Sequence, residues 1–375
     1  MSTSQEALRA ARLEARADAS ETLIDILKRA MENDIFDAIL TPMIVPAKDG
    51  FAYILIKDKS LLDESCPLPP IIAVQGGKAL SSLTRRGKGE LRIAAIMRPC
   101  EMRATIELAK LGQVDLEKIT LISMDCPGAL KLSDFSKDPK GEWAKFKESA
   151  GAWVDGSIRP ICQICDHFSA VTGDVHLGIL GCGTDIKLIS KSEKGEALIK
   201  GLGLTKSLNL ASWEEGVKAV TERRKGKREE WNKKFEVKVG GTENLLSALA
   251  TCIDCHNCMR VCPVCYCRLC YFDSERLKHP ADDYLDQAIK KGSLRFPPDM
   301  MLFHIGRMTH MGLMCVSCGA CEDACPSSIP IAQIFSHIAD RTQKKFDYEP
   351  GRSVKEPLPL LVYREDEFKE GDGDG

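Results

Sequence analysis

Along the first half of the chain, short apolar runs alternate with segments whose apolar positions recur at helical spacing. The runs Asp37–Val45, Phe51–Ile56, Ile71–Val74, Ile93–Met97, Ile119–Met124 and Val175–Leu180 have the composition of strands. Helix-period segments such as Gly77–Leu83 and Cys100–Leu111 lie between several of them. This interleaving predicts an α/β (α+β) N-terminal domain with a mixed sheet over residues 21–210. Ahead of it, Ser4–Ala30 reads as an amphipathic helix, so residues 1–20 are expected to be a helical extension. Its alanines and arginines resemble those of an organelle transit peptide, but Glu6, Glu14 and Glu21 argue against that, because such peptides are poor in acidic residues.

The pattern then changes twice. Trp213–Lys238 is long and highly charged, which predicts a solvated helical linker over 211–241, with a partner-docking surface as the other reading. Over 242–345 a cysteine-rich unit takes over, interrupted by a helical insert near Tyr284–His310. The tail, 346–375, holds prolines and ends in an acidic, glycine-rich run, so it is expected to be extended and then disordered.

At 375 residues and 44% hydrophobic content, the chain has room for more than one core. Its 52 lysines and arginines nearly balance 54 aspartates and glutamates, so charge points to no nucleic-acid partner. No run reaches the roughly 18 apolar residues of a membrane span and no secretion signal opens the chain, so a cytoplasmic location is expected. Neither a Ser/His/Asp set, nor H-E-x-x-H, nor a P-loop is present, which removes hydrolase and NTPase readings; no residue is singled out as catalytic.

Seventeen cysteines change the picture. Grouped as C-x-x-C in a long chain without an export signal, they point to metal binding rather than disulfides. Cys252-Ile-Asp-Cys255-His-Asn-Cys258-Met-Arg-Val-Cys262-Pro263 has the spacing of a ferredoxin [4Fe–4S] motif, and Cys315-Val-Ser-Cys318-Gly-Ala-Cys321-Glu-Asp-Ala-Cys325-Pro326 repeats it. Three cysteines two residues apart wrap three corners of a cubane, and the fourth reaches the other cluster. This assigns one cluster to Cys252, Cys255, Cys258 and Cys325 and the other to Cys315, Cys318, Cys321 and Cys262. Structural zinc also takes four thiolates, but it needs neither the third evenly spaced cysteine nor the Cys-Pro end. A two-cluster ferredoxin-like helical module over 242–345 is therefore expected. Gly319 and Ala320 suit close approach of backbone amides to cluster sulfurs, and His256 is expected at the surface, near enough to modulate the potential. Cys265, Cys267 and Cys270 exceed what two clusters need; a further metal and simple packing beside the module both stay open.

A second set of cysteines lies in the α/β domain, in Arg98-Pro-Cys100-Glu-Met-Arg103-Ala104, Asp125-Cys126-Pro-Gly128 and Cys162-Gln-Ile-Cys165-Asp166. The first two follow apolar strands, at the end where α/β folds place ligands. These motifs, with Cys66-Pro-Leu-Pro69 and Gly173-Asp-Val-His-Leu-Gly178, resemble the coenzyme F420 hydrogenase/dehydrogenase beta-subunit family across most of 21–210. The appended two-cluster module makes the chain look more like the formate dehydrogenase beta subunits than the hydrogenase ones. The resemblance implies FAD and a third [4Fe–4S] cluster, with Cys100, Cys126, Cys162 and Cys165 as its ligands; Cys182 stands where the family is expected to have no cysteine and is the competing fourth ligand, and Cys66 is read as structural. No dinucleotide fingerprint marks FAD, since Gly181-Cys-Gly183 lacks the third glycine. Arg98 and the stretch Asp166–Gly183 are the expected contacts, in particular Asp166, Asp174, Gly178 and Gly181.

The resemblance further implies an electron-transfer oxidoreductase subunit. Electrons from a catalytic formate dehydrogenase or hydrogenase subunit would enter the ferredoxin module and reach FAD through the N-terminal cluster. They would then leave on a two-electron carrier: coenzyme F420, NAD(P) or a heterodisulfide-reductase-type subunit. A stand-alone flavin/iron–sulfur reductase of a small substrate and a flavin-free electron wire are the alternatives.

Overall fold

The computed structural model describes residues 9–14 and 18–363, apart from 152, 154–155, 170–171, 184, 205, 208 and 268. Its strands are β1 (Arg9–Glu14), β2 (Ala38–Ile44), β3 (Phe51–Ile56), β4 (Ile93–Ile96), β5 (Ile119–Met124), β6 (Val175–Gly178), β7 (Asp185–Ser190) and β8 (Lys206–Ser207). They form one mixed sheet in the order β3-β2-β4-β5-β6-β7-β1-β8. β2, β4, β5 and β6 run parallel at its centre, and the remaining pairs are antiparallel.

Because side chains alternate across a strand, each parallel strand feeds two cores. Ile93 and Ala95 of β4 pack with Leu80, Met102 and Ile106 from the helices Gly76–Thr84 and Pro99–Lys110. Ala94 and Ile96 face Leu23, Leu27 and Leu198 from the helices Ala19–Glu32 and Glu193–Gly201.

Four sequence expectations change. Ile71–Val74 is not a strand. Pro69 and Pro70 precede it, neither has an N–H for a ladder, and Pro70 O instead accepts from Leu130 N at 2.7 Å. The N-terminal helical extension is corrected at Arg9–Glu14, which is β1, inserted between β7 and β8. Burial of Ala10, Ala11 and Leu13 there outweighs a helix-forming composition. The helix begins only at Ala19, capped by Asp18, whose Oδ1 accepts from Glu21 N at 2.8 Å; residues 1–8 and 15–17 lie outside the described residues. The helical insert is two helices, Ala281–Lys291 and Met300–Met311, separated by left-handed Gly292 and by Pro297-Pro298.

The fourth change concerns the charged linker. It is a 29-residue helix, Ala211–Val239, and it buries Trp213, Val220, Arg224, Phe235 and Val239. Its first half packs on the sheet domain and its second half on the cysteine-rich module. In the tail, Glu107 of the Pro99–Lys110 helix accepts from Tyr348 OH (2.6 Å) and Gly351 N (2.7 Å), strapping that segment to the sheet domain; residues 364–375 lie outside the described residues. Among the described residues no helix is long and apolar enough to cross a membrane.

Candidate functional site

Parallel strands end where backbone groups are released from the ladder, and the N-terminal cysteines sit there. Cys100 opens the helix after β4 and Cys126 follows β5, while Cys162 and Cys165 come from the short helix Pro160–Gln163 and the turn after it. All four line one cavity, together with Arg98 and Arg224. The Arg-Pro-Cys-Glu-x-Arg-Ala run explains itself here. Arg98 is buried and donates from Nη1 to Cys126 Sγ (2.8 Å) and to Gly128 O (2.8 Å), with a further bond from Nη2 to Pro69 O. Glu101 accepts from Gly76 N (2.8 Å), Arg98 N (2.9 Å) and Tyr53 OH (2.9 Å), locking the turn. A Cβ on Gly128, whose φ is +130°, would stand 2.6 Å from Ile158 and 3.2 Å from Cys162, so the loop closes only over glycine.

The two ferredoxin-type loops share a backbone as well as a spacing. Asp254 and His256 in the first are left-handed, and so are Ser317 and Gly319 at the matching positions of the second. Such turns direct amides at sulfur; Asp254 N donates to Cys252 Sγ at 3.4 Å. Cys252, Cys255, Cys258 and Cys325 line one cavity. Cys262, Cys315, Cys318 and Cys321 line another. The crossed grouping expected from the sequence is the spatial grouping. Among the described residues no three His, Cys, Asp or Glu side chains converge on a point suited to a single ion, and the thiols stand around voids instead.

Burial pushes these thiols up: Cys165, Cys258 and Cys315 to about 11, Cys318 to about 12, and Cys100 and Cys321 well above the ordinary value. A thiol raised by burial is a poor nucleophile. It becomes a ligand when a metal displaces its proton, which is the chemistry that fits these sets.

A third feature escaped the sequence. A cavity of about 640 Å³ lies where the long helix, the tail and the second ferredoxin-type loop meet, within the size range of cofactor sites. Arg103, Lys225, Arg228, Lys344 and Arg352 bring positive charge to it, and Asp166, Glu229, Asp340, Asp347 and Glu349 negative. It shares Cys315 and Ser317 with one ferredoxin-type cavity and His167 and Ser317 with the N-terminal thiol cavity. Arg228 donates to Asp340 Oδ2 (2.8 Å) and Asp166 Oδ1 (3.1 Å) across its wall. His167 is held neutral, near 2, first by the charge of Arg103 and then by burial.

Of the expected FAD contacts, Asp166 lines that cavity, together with His167 and Ser169 of the same stretch. Arg98 lines the thiol cavity instead. Asp174 accepts from Leu121 N (2.8 Å) and Ser192 Oγ (2.5 Å), a strand-end fastening. Gly178 makes room for the Trp213 ring, 2.8 Å from where its Cβ would be, and Gly181 turns with φ +70° against Ser212 O. These three are packing positions. Cys182 is buried with Phe168 and Trp213 and lines none of the three thiol cavities. Cys66 packs beside Phe51 and Phe135. Cys265 and Cys270 pack against the module core, and Cys267 is exposed. His256 is corrected from a surface residue to a clamped one: it stacks on Phe303 at 4.1 Å and meets Asp273 at 2.9 Å.

Residues 248–329 match the family model described as a 4Fe-4S dicluster domain. The F420-dependent formate dehydrogenase 1 subunit beta of Methanococcus maripaludis is 32% identical over 309 residues, which is 72% of this chain and 76% of that one. The F420-dependent formate dehydrogenase subunit beta of Methanocaldococcus jannaschii is 26% identical over 302 residues, with the same 72% and 76% coverage. A chain of the F420-reducing [NiFe] hydrogenase complex from Methanosarcina barkeri aligns over 63% of this chain and 93% of its own, at 11% identity and a TM-score of 0.43, too loose an overlay to carry detail.

Proposed function

This chain belongs to the family of F420-dependent formate dehydrogenase beta subunits, and from that premise we propose that it passes electrons between a catalytic dehydrogenase subunit and a two-electron carrier by way of three [4Fe–4S] clusters and FAD. The single observation that supports this most is the shared wall: the 640 Å³ cavity borders the N-terminal thiol cavity through His167 and the second ferredoxin-type cavity through Cys315.

The four-thiol sets Cys252/Cys255/Cys258/Cys325, Cys262/Cys315/Cys318/Cys321 and Cys100/Cys126/Cys162/Cys165 hold the clusters. Arg103, Lys225, Lys344 and Arg352 suit a pyrophosphate in the large cavity. A flavin there would supply conversion between one-electron carriers and a hydride-type pair. The protein's own part is to fix distances and keep water from the thiols, which Arg98, Arg224 and Arg307 do by closing over them as buried cations. Coenzyme F420 is the carrier named for the relatives, and we extend it to this chain as the first substrate to try.

Anaerobic purification with iron, acid-labile sulfide and flavin counted per polypeptide tests the reading. About twelve irons and one FAD are expected for three cubanes and one flavin. About eight irons and no flavin would reduce the chain to a two-cluster wire and sink the converter role.

A further inference from the structure

Arg307 stands on the helix Met300–Met311 between the two ferredoxin-type cavities and is 2% exposed. Its Nη1 donates to Cys258 Sγ at 3.0 Å and its Nη2 to Cys258 O at 3.1 Å, both on the first set. The same side chain lines the cavity of the second set. Phe303 and Phe335 cover the guanidinium, with ring centroids 5.5 and 4.6 Å away. The thiols of Cys258, Cys262, Cys321 and Cys265 are the groups that act most strongly on its charge. Among the described residues its Nε has no hydrogen-bond partner.

A cation buried against thiols is costly while they are neutral, and thiolates bound to a cluster would supply the countercharge. A cubane with four thiolate ligands is anionic and takes up one further negative charge on reduction, so a fixed cation beside it favours the reduced form. We propose that Arg307 is a positioning residue shared by the two ferredoxin-type clusters, one buried charge that raises both reduction potentials together. The inference rests on the two ferredoxin-type ligand sets described above. His304, on the same helix, sits against Cys252 Sγ at 3.3 Å and lines the cavity of the first set but not that of the second, so it is not shared in this way.

The test is an EPR-monitored redox titration of the anaerobically purified full chain, with iron counted, for wild type, Arg307→Gln and Arg307→Lys. Glutamine keeps a donor for Cys258 and loses the charge; lysine keeps the charge and loses the planar fork. Arg307→Gln is expected to lower both ferredoxin-type midpoints by at least tenfold in the one-electron equilibrium constant, about 59 mV. Arg307→Lys is expected to stay within threefold of wild type, with iron content unchanged in both. A shift confined to one cluster, no shift in glutamine, or a lysine shift as large as glutamine's would overturn the proposal. So would loss of iron from both variants, which would make Arg307 a folding residue. Absence of two ferredoxin-type signals in wild type would instead overturn the ligand assignment, and the two failures are thereby told apart.

Discussion

Asp125 is the residue on which the N-terminal site hangs. It is fully buried, and its carboxylate accepts from Trp213 Nε1 (2.9 Å), Ile179 N (2.9 Å) and Leu180 N (3.1 Å), with His176 Nε2 at 2.8 Å. One anion thus ties the end of β5 to the end of β6 and to the long helix, immediately before Cys126. Asp125→Asn replaces an acceptor-only group with an amide that turns its own donors toward N–H groups. A loss of about 3 kcal/mol follows from breaking a buried charged network, read as an earlier thermal transition with altered tryptophan emission. Gly128→Ala acts on geometry alone. A Cβ 3.2 Å from Cys162 Cβ, at φ +130°, moves the ligand loop, so iron is expected to fall from about twelve to about eight per chain, one cubane's worth, while flavin-free ferredoxin-type signals persist.

At the scale of elements, the long helix is a brace between two units. Trp213, Val217, Val220, Arg224, Arg228, Trp231, Phe235 and Val239 form one stripe at helical spacing, with arginines at two of its positions. Arg224 donates to Pro127 O (2.8 Å) and lies over Phe168 (5.1 Å), gripping the N-terminal site. Arg228 pairs with Asp340 of the Ile331–Lys345 helix, and His337 of that helix meets Glu236 at 2.6 Å. Arg228→Met keeps the stem but leaves Asp340 and Asp166 facing each other half-buried, and about 2 kcal/mol of stability is expected to go, less than for a fully dry pair; a denaturant melt measures it. The tail is the second brace. Tyr348, Glu349 and Arg352 wall the large cavity, so ending the chain at Asp347 is expected to abolish flavin retention while leaving iron content unchanged, which absorbance and iron assays separate.

Across the whole molecule, the large cavity, the N-terminal thiol cavity and the second ferredoxin-type cavity share wall residues because the second ferredoxin-type loop is pressed against the sheet domain. A Cβ on Gly319 would meet Ile161 at 2.9 Å, and Arg159 Nη1 donates to Cys318 O at 3.0 Å. Ser317 and Cys318 therefore wall the N-terminal thiol cavity as well as their own. Stripping the clusters with an oxidant and a chelator is expected to unfold the module over 242–345 before the sheet domain, since the module's loops are held by buried thiols that lose their metal. Hydrogen exchange should show early loss of protection there and retention in β4 and β5, whose residues are buried on both faces.

The sequence determined the local events. Cysteine spacing and Cys-Pro ends marked the eight thiols, because three cysteines two residues apart wrap one cubane, while their crossed partition into two sets rested on the ferredoxin rule that the fourth reaches the other cluster. Continuous apolar runs gave the central parallel strands, since a strand buried on both faces needs no partner to be recognised. Tertiary structure decided what depends on distant partners. β1 is a strand only because β7 and β8 flank it; the long helix reads as solvated because arginines occupy buried positions whose acceptors lie about 60 to 110 residues away in sequence; and the large cavity has walls from segments more than a hundred residues apart, joined by no local motif. Periodicity records which face of an element is buried, but not which element will cover it, and a cavity is a property of what fails to touch.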